Sequence, residues 1–216
     1  MSIGKHVLDI LFPPKCVFCH GILEDGEENV CEKCAGSVRI SSGPYTAPNL
    51  SDSIDFAYAP LTYEGDVRES LLRFKFGGNT FYADTYAEAI FCSCPADRLQ
   101  CDIITWVPLA RKRLRKRGYD QAGLIAQRLS EKMGVTCIRT LKKKTNIRPQ
   151  SSVKSSADRM NNVKGVYEAI NPEFIEGKRI LLVDDILTTG ATVSECARTL
   201  YAAGARSVSV AAAAHR

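Results

Sequence analysis

The chain has 216 residues, 45% of them hydrophobic and 25% charged, which is enough for one α/β domain of ordinary size with a small appendage. No apolar run approaches the ~18 residues that cross a bilayer, and the opening MSIGKHVLDILFPPKC has too short an apolar stretch and no small-residue cleavage site, so the expectation is a cytoplasmic protein without membrane insertion. The formal charge of +5 is uneven: residues 1–60 carry four basic and eight acidic side chains, and the remaining 156 carry 25 and 16, which directs the main domain toward phosphate-bearing ligands without choosing between a nucleotide and a nucleic acid.

A short apolar helix is expected around His6 to Phe12. Cys16 and Cys19 then form C-x2-C, eleven residues follow, and Cys31 and Cys34 form a second C-x2-C. In a reducing compartment such paired knuckles surround one tetrahedral ion, and four thiolates leave no open coordination position, so the expected group is structural Zn2+. Four unligated buried thiols are the alternative, but the acidic loop ILEDGEENV between the knuckles offers little core to bury them. His20, directly after Cys19, is a further candidate ligand. From Ser41 to Ser53, Gly, Pro and Ser displace any periodic apolar pattern, which divides the chain into a zinc module (1–40), a linker (41–53) and a main domain (54–216).

Ile54 to Tyr63 reads as extended, Val67 to Phe76 and Phe81 to Phe91 as helices, and Cys101 to Leu109 as a buried strand. Gln121 to Met133 is an amphipathic helix with Leu124, Ile125, Leu129 and Met133 on one face. Thr136 to Leu141 is a further strand, followed by a polar stretch from Lys142 to Asn162. Ile180 to Val183 is a strand, Thr192 to Ala203 a helix, and Ser207 to Ala213 the closing strand. Strands alternating with helices predict a parallel sheet covered on both faces, with ligands beyond the carboxyl ends of the strands. Cys92, Cys94 and Cys101 suit packing or loops, Cys137 and Cys196 the core, and His6 and His215 have no readable partner.

The densest chemistry lies in RILLVDDILTTGAT, Arg179 to Thr192. An apolar strand ending in two carboxylates places Asp184 and Asp185 at the sheet edge, where they can only accept hydrogen bonds, from hydroxyls or metal-bound water. Thr188, Thr189, Gly190, Ala191 and Thr192 then open a helix whose N–H groups and hydroxyls form a phosphate cradle, with Gly190 allowing close backbone approach to the anion. The Lys of a nucleoside-triphosphatase loop is missing. After the strand ending at Val107 comes the basic run Arg111 to Arg117 and Gly118. Alone it reads as a solvated face, but after a sheet strand it suits pyrophosphate or nucleic acid.

At Asp184 to Thr192 the sequence resembles the type I phosphoribosyltransferases. The resemblance implies that Asp184 and Asp185 face the ribose hydroxyls of phosphoribosyl pyrophosphate, that Thr188 to Thr192 hold its 5-phosphate, and that Mg2+ bridges ribose and pyrophosphate. It places the pyrophosphate loop at VPLARKRLRKRGYDQA, with Arg111, Arg117 and Gly118, and the flexible catalytic loop at Arg148 to Val163, with Arg148, Gln150 and Arg159. With the cysteine knuckles and LLRFKFGG from Leu71 to Gly78, the whole resembles the ComF family, phosphoribosyltransferase-like proteins associated with competence. Two functions stay open on this reading. One is a transferase that displaces pyrophosphate with a nitrogenous base of unread identity. The other is a ligand sensor whose basic surface engages single-stranded DNA alongside competence or recombination proteins, although few aromatics interleave the basic runs and Tyr119 is the nearest.

Overall fold

The structure is a computed structural model and describes residues 13–41, 43–47, 50–144 and 165–216. The expected helix around His6 to Phe12 and the loop residues Arg148, Gln150 and Arg159 lie outside that set. In chain order the elements are α1 (Glu32–Ser37), β1 (Phe56–Tyr58), β2 (Leu61–Thr62), α2 (Gly65–Phe76), α3 (Tyr82–Ser93), β3 (Ile103–Trp106), α4 (Arg111–Arg117), α5 (Gln121–Met133), β4 (Leu141–Lys143), β5 (Tyr167–Ala169), β6 (Arg179–Leu187), α6 (Ala191–Ala202) and β7 (Ser207–His215).

The main sheet is parallel throughout, in the order β1–β7–β6–β3, with β2 also on β7. Its centre is the pair β6 and β7, in register from Arg179 opposite Ser207 to Leu187 opposite His215. Alternate residues of these strands enter opposite cores, as the two-residue period of a strand requires. Leu181, Val183, Ala211 and Ala213 pack with residues of α2, α3 and α5, while Ile180, Leu182, Val208, Val210 and Ala212 pack with Val193, Cys196, Ala197 and Leu200 of α6. Both faces are therefore covered, which explains the unbroken apolar run along β6. Asp102, just before β3, accepts from the Arg179 backbone N–H at 2.8 Å and from its guanidinium at 2.8 and 3.2 Å, and these bonds draw its carboxyl down to about 2. That clamp fixes where β6 starts against β3.

The expected strand Thr136 to Leu141 is divided. Ile104 takes Cys137 as a parallel bridge partner, but the chain then turns, and Leu141–Lys143 pairs antiparallel with Tyr167–Ala169 as a separate two-stranded sheet. The turn is polar: Thr140 bonds the Thr105 hydroxyl through both its N–H (3.2 Å) and its own hydroxyl (2.9 Å).

The cysteine module packs on the first helices of the main domain. Cys16, Val17, Phe18 and Cys34 belong to the α2–α3 core, the Phe18 ring meets Tyr86 edge-on at 6.5 Å, and Arg73 donates to the Val17 carbonyl (3.1 Å) and to that of Phe18. The Gly/Pro/Ser segment after it also packs on the main domain. Tyr45 is buried and its N–H donates to the Ala57 carbonyl at 2.7 Å. No helix among the described residues is long and apolar enough to cross a membrane.

Candidate functional site

The sequence expects the apolar strand to end at the acid pair, but β6 continues through it to Leu187, because β7 offers backbone partners as far as His215. Asp184 and Asp185 therefore lie within the strand, near its carboxyl end. The Asp185 N–H donates to Asp184 Oδ1 at 2.8 Å. Burial, with the neighbouring charge of Asp185 next, pushes the Asp184 carboxyl well above the usual carboxylate range. Asp185 points the other way, and its Oδ2 pairs with Lys75 Nζ at 2.9 Å. Asp120, the N-cap of α5, adds a third acid: it accepts from Leu109 N–H (3.0 Å) and Gly123 N–H (3.4 Å), and burial raises its carboxyl against those bonds. Asp185 and Asp120 thus stand on the α2 and α5 side of the strand and Asp184 on the side of Lys143 and Cys196, each an oxygen acceptor suited to hydroxyl groups.

Five residues after Asp185, Gly190 caps α6 in the left-handed region, φ 78°, and supplies no side-chain cap. The first-turn N–H groups of a helix have no partner within it, so this turn offers them to an anion together with the helix dipole. Gly190 also carries a constraint that its sequence does not show. A Cβ on it would meet Leu50 Cα and N at 3.1 Å, so the glycine makes room for the segment arriving from the cysteine module, and its backbone angle excludes a side chain in any case. Around it the same segment is anchored: the Tyr45 hydroxyl donates to the Thr188 carbonyl, and the Ser51 N–H donates to Ser194 Oγ at 2.9 Å. Thr188 is exposed, and Thr189, Ala191 and Thr192 are half-buried.

The basic run is the helix α4, not a turn; Gly118 ends it in the left-handed region at φ 82°, and no side chain of α4 is buried. It divides two cavities. Lys75, Phe76, Gly78, Arg113, Lys116, Arg117 and Tyr119 line one of about 400 Å³. Arg111 lines the other, of about 530 Å³, with Arg139, Lys142, Lys143, Lys144 and Glu168. Arg117 thus shares the cavity of Lys75, the partner of Asp185, while Arg111 lines the cavity on the opposite flank of α4. Tyr119 is committed to packing, with its ring 6.0 Å from Phe74 and its hydroxyl donating to the Phe74 carbonyl.

Behind the acid pair, Lys143 on β4 lies over the Tyr167 ring at 5.2 Å, and burial lowers its ammonium while Asp184 works the other way. Sequence reasoning missed Lys75, Lys143, Asp120 and Tyr45. The signal available for Lys75 was a cation set between Phe74 and Phe76; for Asp120 it was an N-cap residue opening an amphipathic helix.

In the cysteine module, the Sγ atoms of Cys16, Cys19, Cys31 and Cys34 all lie within 4.8 Å of one another, and Cys19 and Cys31 are 3.7 Å apart. Tetrahedral Zn–S bonds of ~2.3 Å place sulfurs about 3.8 Å apart, so the four cysteines fit that ion. Cys16 and Cys19 also accept backbone N–H groups, from Cys31 and Gly21, each at 3.4 Å. The set is four sulfurs, and His20, at φ 64°, follows it in the knuckle turn.

Residues 114–216 match the phosphoribosyl transferase domain family and residues 7–45 the double zinc ribbon domain family. Competence protein F of Haemophilus influenzae is 27% identical over 219 residues, covering 91% of this chain and 94% of that protein. Competence protein ComFC of Bacillus subtilis is 32% identical over 148 residues, 66% of this chain and 57% of that one. DNA utilization protein YhgH of Escherichia coli is 32% identical over 109 residues, 50% and 47% respectively, so the match spans about half of that relative.

Proposed function

The chain belongs to the ComF family, joining a four-cysteine zinc ribbon to a type I phosphoribosyltransferase-like parallel sheet, and from that premise we propose that it binds phosphoribosyl pyrophosphate with Mg2+ between Asp184 and Thr192 in the service of DNA uptake or utilisation. One observation carries the reading: a strand-to-helix turn presents paired carboxylates and, five residues on, an uncapped helix N-terminus, with a cation-lined cavity beside the carboxylates. The ligand has matching parts in matching order, hydroxyls for Asp184 and Asp185, a 5-phosphate for Thr188 to Thr192, and a pyrophosphate for the turn at Arg117 and Gly118. Bound Mg2+ would draw charge from the pyrophosphate and make it a better leaving group. The chain's own residues orient the ribose and stabilise charge, since displacement at the anomeric carbon by a nitrogen base needs no covalent nucleophile from the protein. The resemblance assigns Arg148, Gln150 and Arg159, which lie outside the described residues, to the family's flexible catalytic loop. A place in the cytoplasm suits the four thiolates of the knuckles, which hold zinc only while they stay reduced.

Calorimetry tests it. Wild type should bind phosphoribosyl pyrophosphate with Mg2+, and Asp184→Asn with Asp185→Asn should lower affinity mainly in the presence of Mg2+. A folded wild type that gives no heat at millimolar ligand with Mg2+ rejects the reading. Pyrophosphate release with a panel of nitrogenous bases then separates a transferase from a sensor. A second reading, single-stranded DNA binding, is favoured by the groove beyond α4, where five cations face one carboxylate.

A further inference from the structure

The end of α2 and the turn after α4 are built as one unit. The Phe74 carbonyl accepts the Tyr119 hydroxyl and, at 3.4 Å, the Gln121 amide. The Arg117 guanidinium lies over the Phe76 ring at 5.1 Å and donates to Gln121 Oε1 at 2.8 Å. Between these two attachments stands Lys75, with Nζ 2.9 Å from Asp185 Oδ2 and its side chain 18% exposed. It opens on the cavity of about 400 Å³ whose other charged walls are Arg113, Lys116 and Arg117. No carboxylate lines that cavity among the described residues, so it is a site for a compact polyanion.

We propose that Lys75 binds the pyrophosphate of the ligand and is held ready for it by Asp185. The inference rests on the phosphoribosyl pyrophosphate reading and names a residue that neither the loop motif nor the basic run contains. An ammonium has three donors, and Asp185 engages one. Were a divalent cation and ribose hydroxyls to engage Asp185, Lys75 would lose its anion and would be free to pair with the one brought into the cavity by the same ligand. The lysine thus ties the acid pair to the pyrophosphate cavity, so the two ends of the ligand are sensed together. Arg73, two residues earlier, is committed to the Val17 and Phe18 carbonyls, which keeps this helix end in place.

The test uses the full chain and three ligands with Mg2+: phosphoribosyl pyrophosphate, inorganic pyrophosphate, and ribose 5-phosphate, which lacks the pyrophosphate. Lys75→Gln should weaken the first two by about tenfold or more, the loss expected for one charge-assisted hydrogen bond, and leave ribose 5-phosphate within about twofold of wild type. Lys75→Arg, which keeps the charge, should recover part of the loss. Retained ribose 5-phosphate binding also shows that the variant is folded. Unchanged binding of phosphoribosyl pyrophosphate by Lys75→Gln overturns the proposal alone. An equal loss for all three ligands also overturns it, since Lys75 would then only position Asp185. A wild type that binds none of the three removes the underlying reading, and this one with it.

Discussion

Gly190 answers to two constraints at once, a left-handed φ of 78° and the backbone of Leu50 at 3.1 Å from where a Cβ would stand. Either alone disfavours a side chain: the left-handed region costs a non-glycine residue roughly 1–2 kcal/mol. Gly190→Ala should therefore destabilise the fold by about 1–2 kcal/mol or slightly more in denaturant unfolding, and lower ligand affinity equally with and without Mg2+. The acid-pair variants should lose affinity mainly where Mg2+ is present, so the two lesions differ in kind. Contiguous residues explain why this part of the site was legible in the sequence: acids, threonines and glycine follow one another along a single strand-turn-helix. Lys75, Lys143 and Asp120 come from α2, β4 and the cap of α5, and only the packing of those elements reveals that each comes near one acid of the pair. The tight fit at Gly190 was unreadable for the same reason, because Leu50 reaches it from a segment whose composition says only that it is not periodic.

At the scale of elements, α4 is unusual in burying none of its seven residues. A helix held by its ends and bearing six cations gives the core nothing, and its charge is available to a ligand on each flank. The flank with Arg111, Lys142 and Lys144 faces away from Lys75 and suits a phosphodiester strand. Replacing those three by Gln should reduce the slope of log affinity against log salt for a single-stranded oligonucleotide by about 2, near 0.7 for each phosphate no longer neutralised, and leave phosphoribosyl pyrophosphate binding unchanged. A slope equal to that of wild type would exclude this groove as the DNA path. The helices and strands of the main domain were largely readable from periodicity. The exceptions have physical causes: β6 and β7 extend each other past the apolar stretch, and the segment from Thr136 leaves the sheet where Thr140 finds the Thr105 hydroxyl.

At the scale of the whole molecule, the cysteine module is linked to the proposed ligand site by two routes. Through the first, Val17 and Phe18 hold Arg73, two residues before Lys75 on α2. Through the second, the chain leaving the module carries Tyr45 to the Thr188 carbonyl, Leu50 to Gly190 and Ser51 to Ser194. A four-thiolate zinc site folds its module outright, so losing the ion unfolds the knuckles and releases both routes. Cys31→Ser should thus abolish stoichiometric zinc in metal analysis and also weaken phosphoribosyl pyrophosphate binding, although Cys31 belongs to the zinc cluster and to no part of the phosphate turn. Tyr45→Phe separates the routes. It keeps the ring, packed 5.6 Å from His215, and removes only the hydroxyl, so it should retain zinc and lose about 1 kcal/mol of the turn's stability, seen as faster hydrogen exchange around Thr188. If zinc-free Cys31→Ser binds the ligand as wild type does, the module and the sheet are independent units. If binding falls in zinc-free Cys31→Ser and also in Tyr45→Phe with its zinc retained, the Tyr45 bond to Thr188 is what carries the state of the module to the phosphate turn.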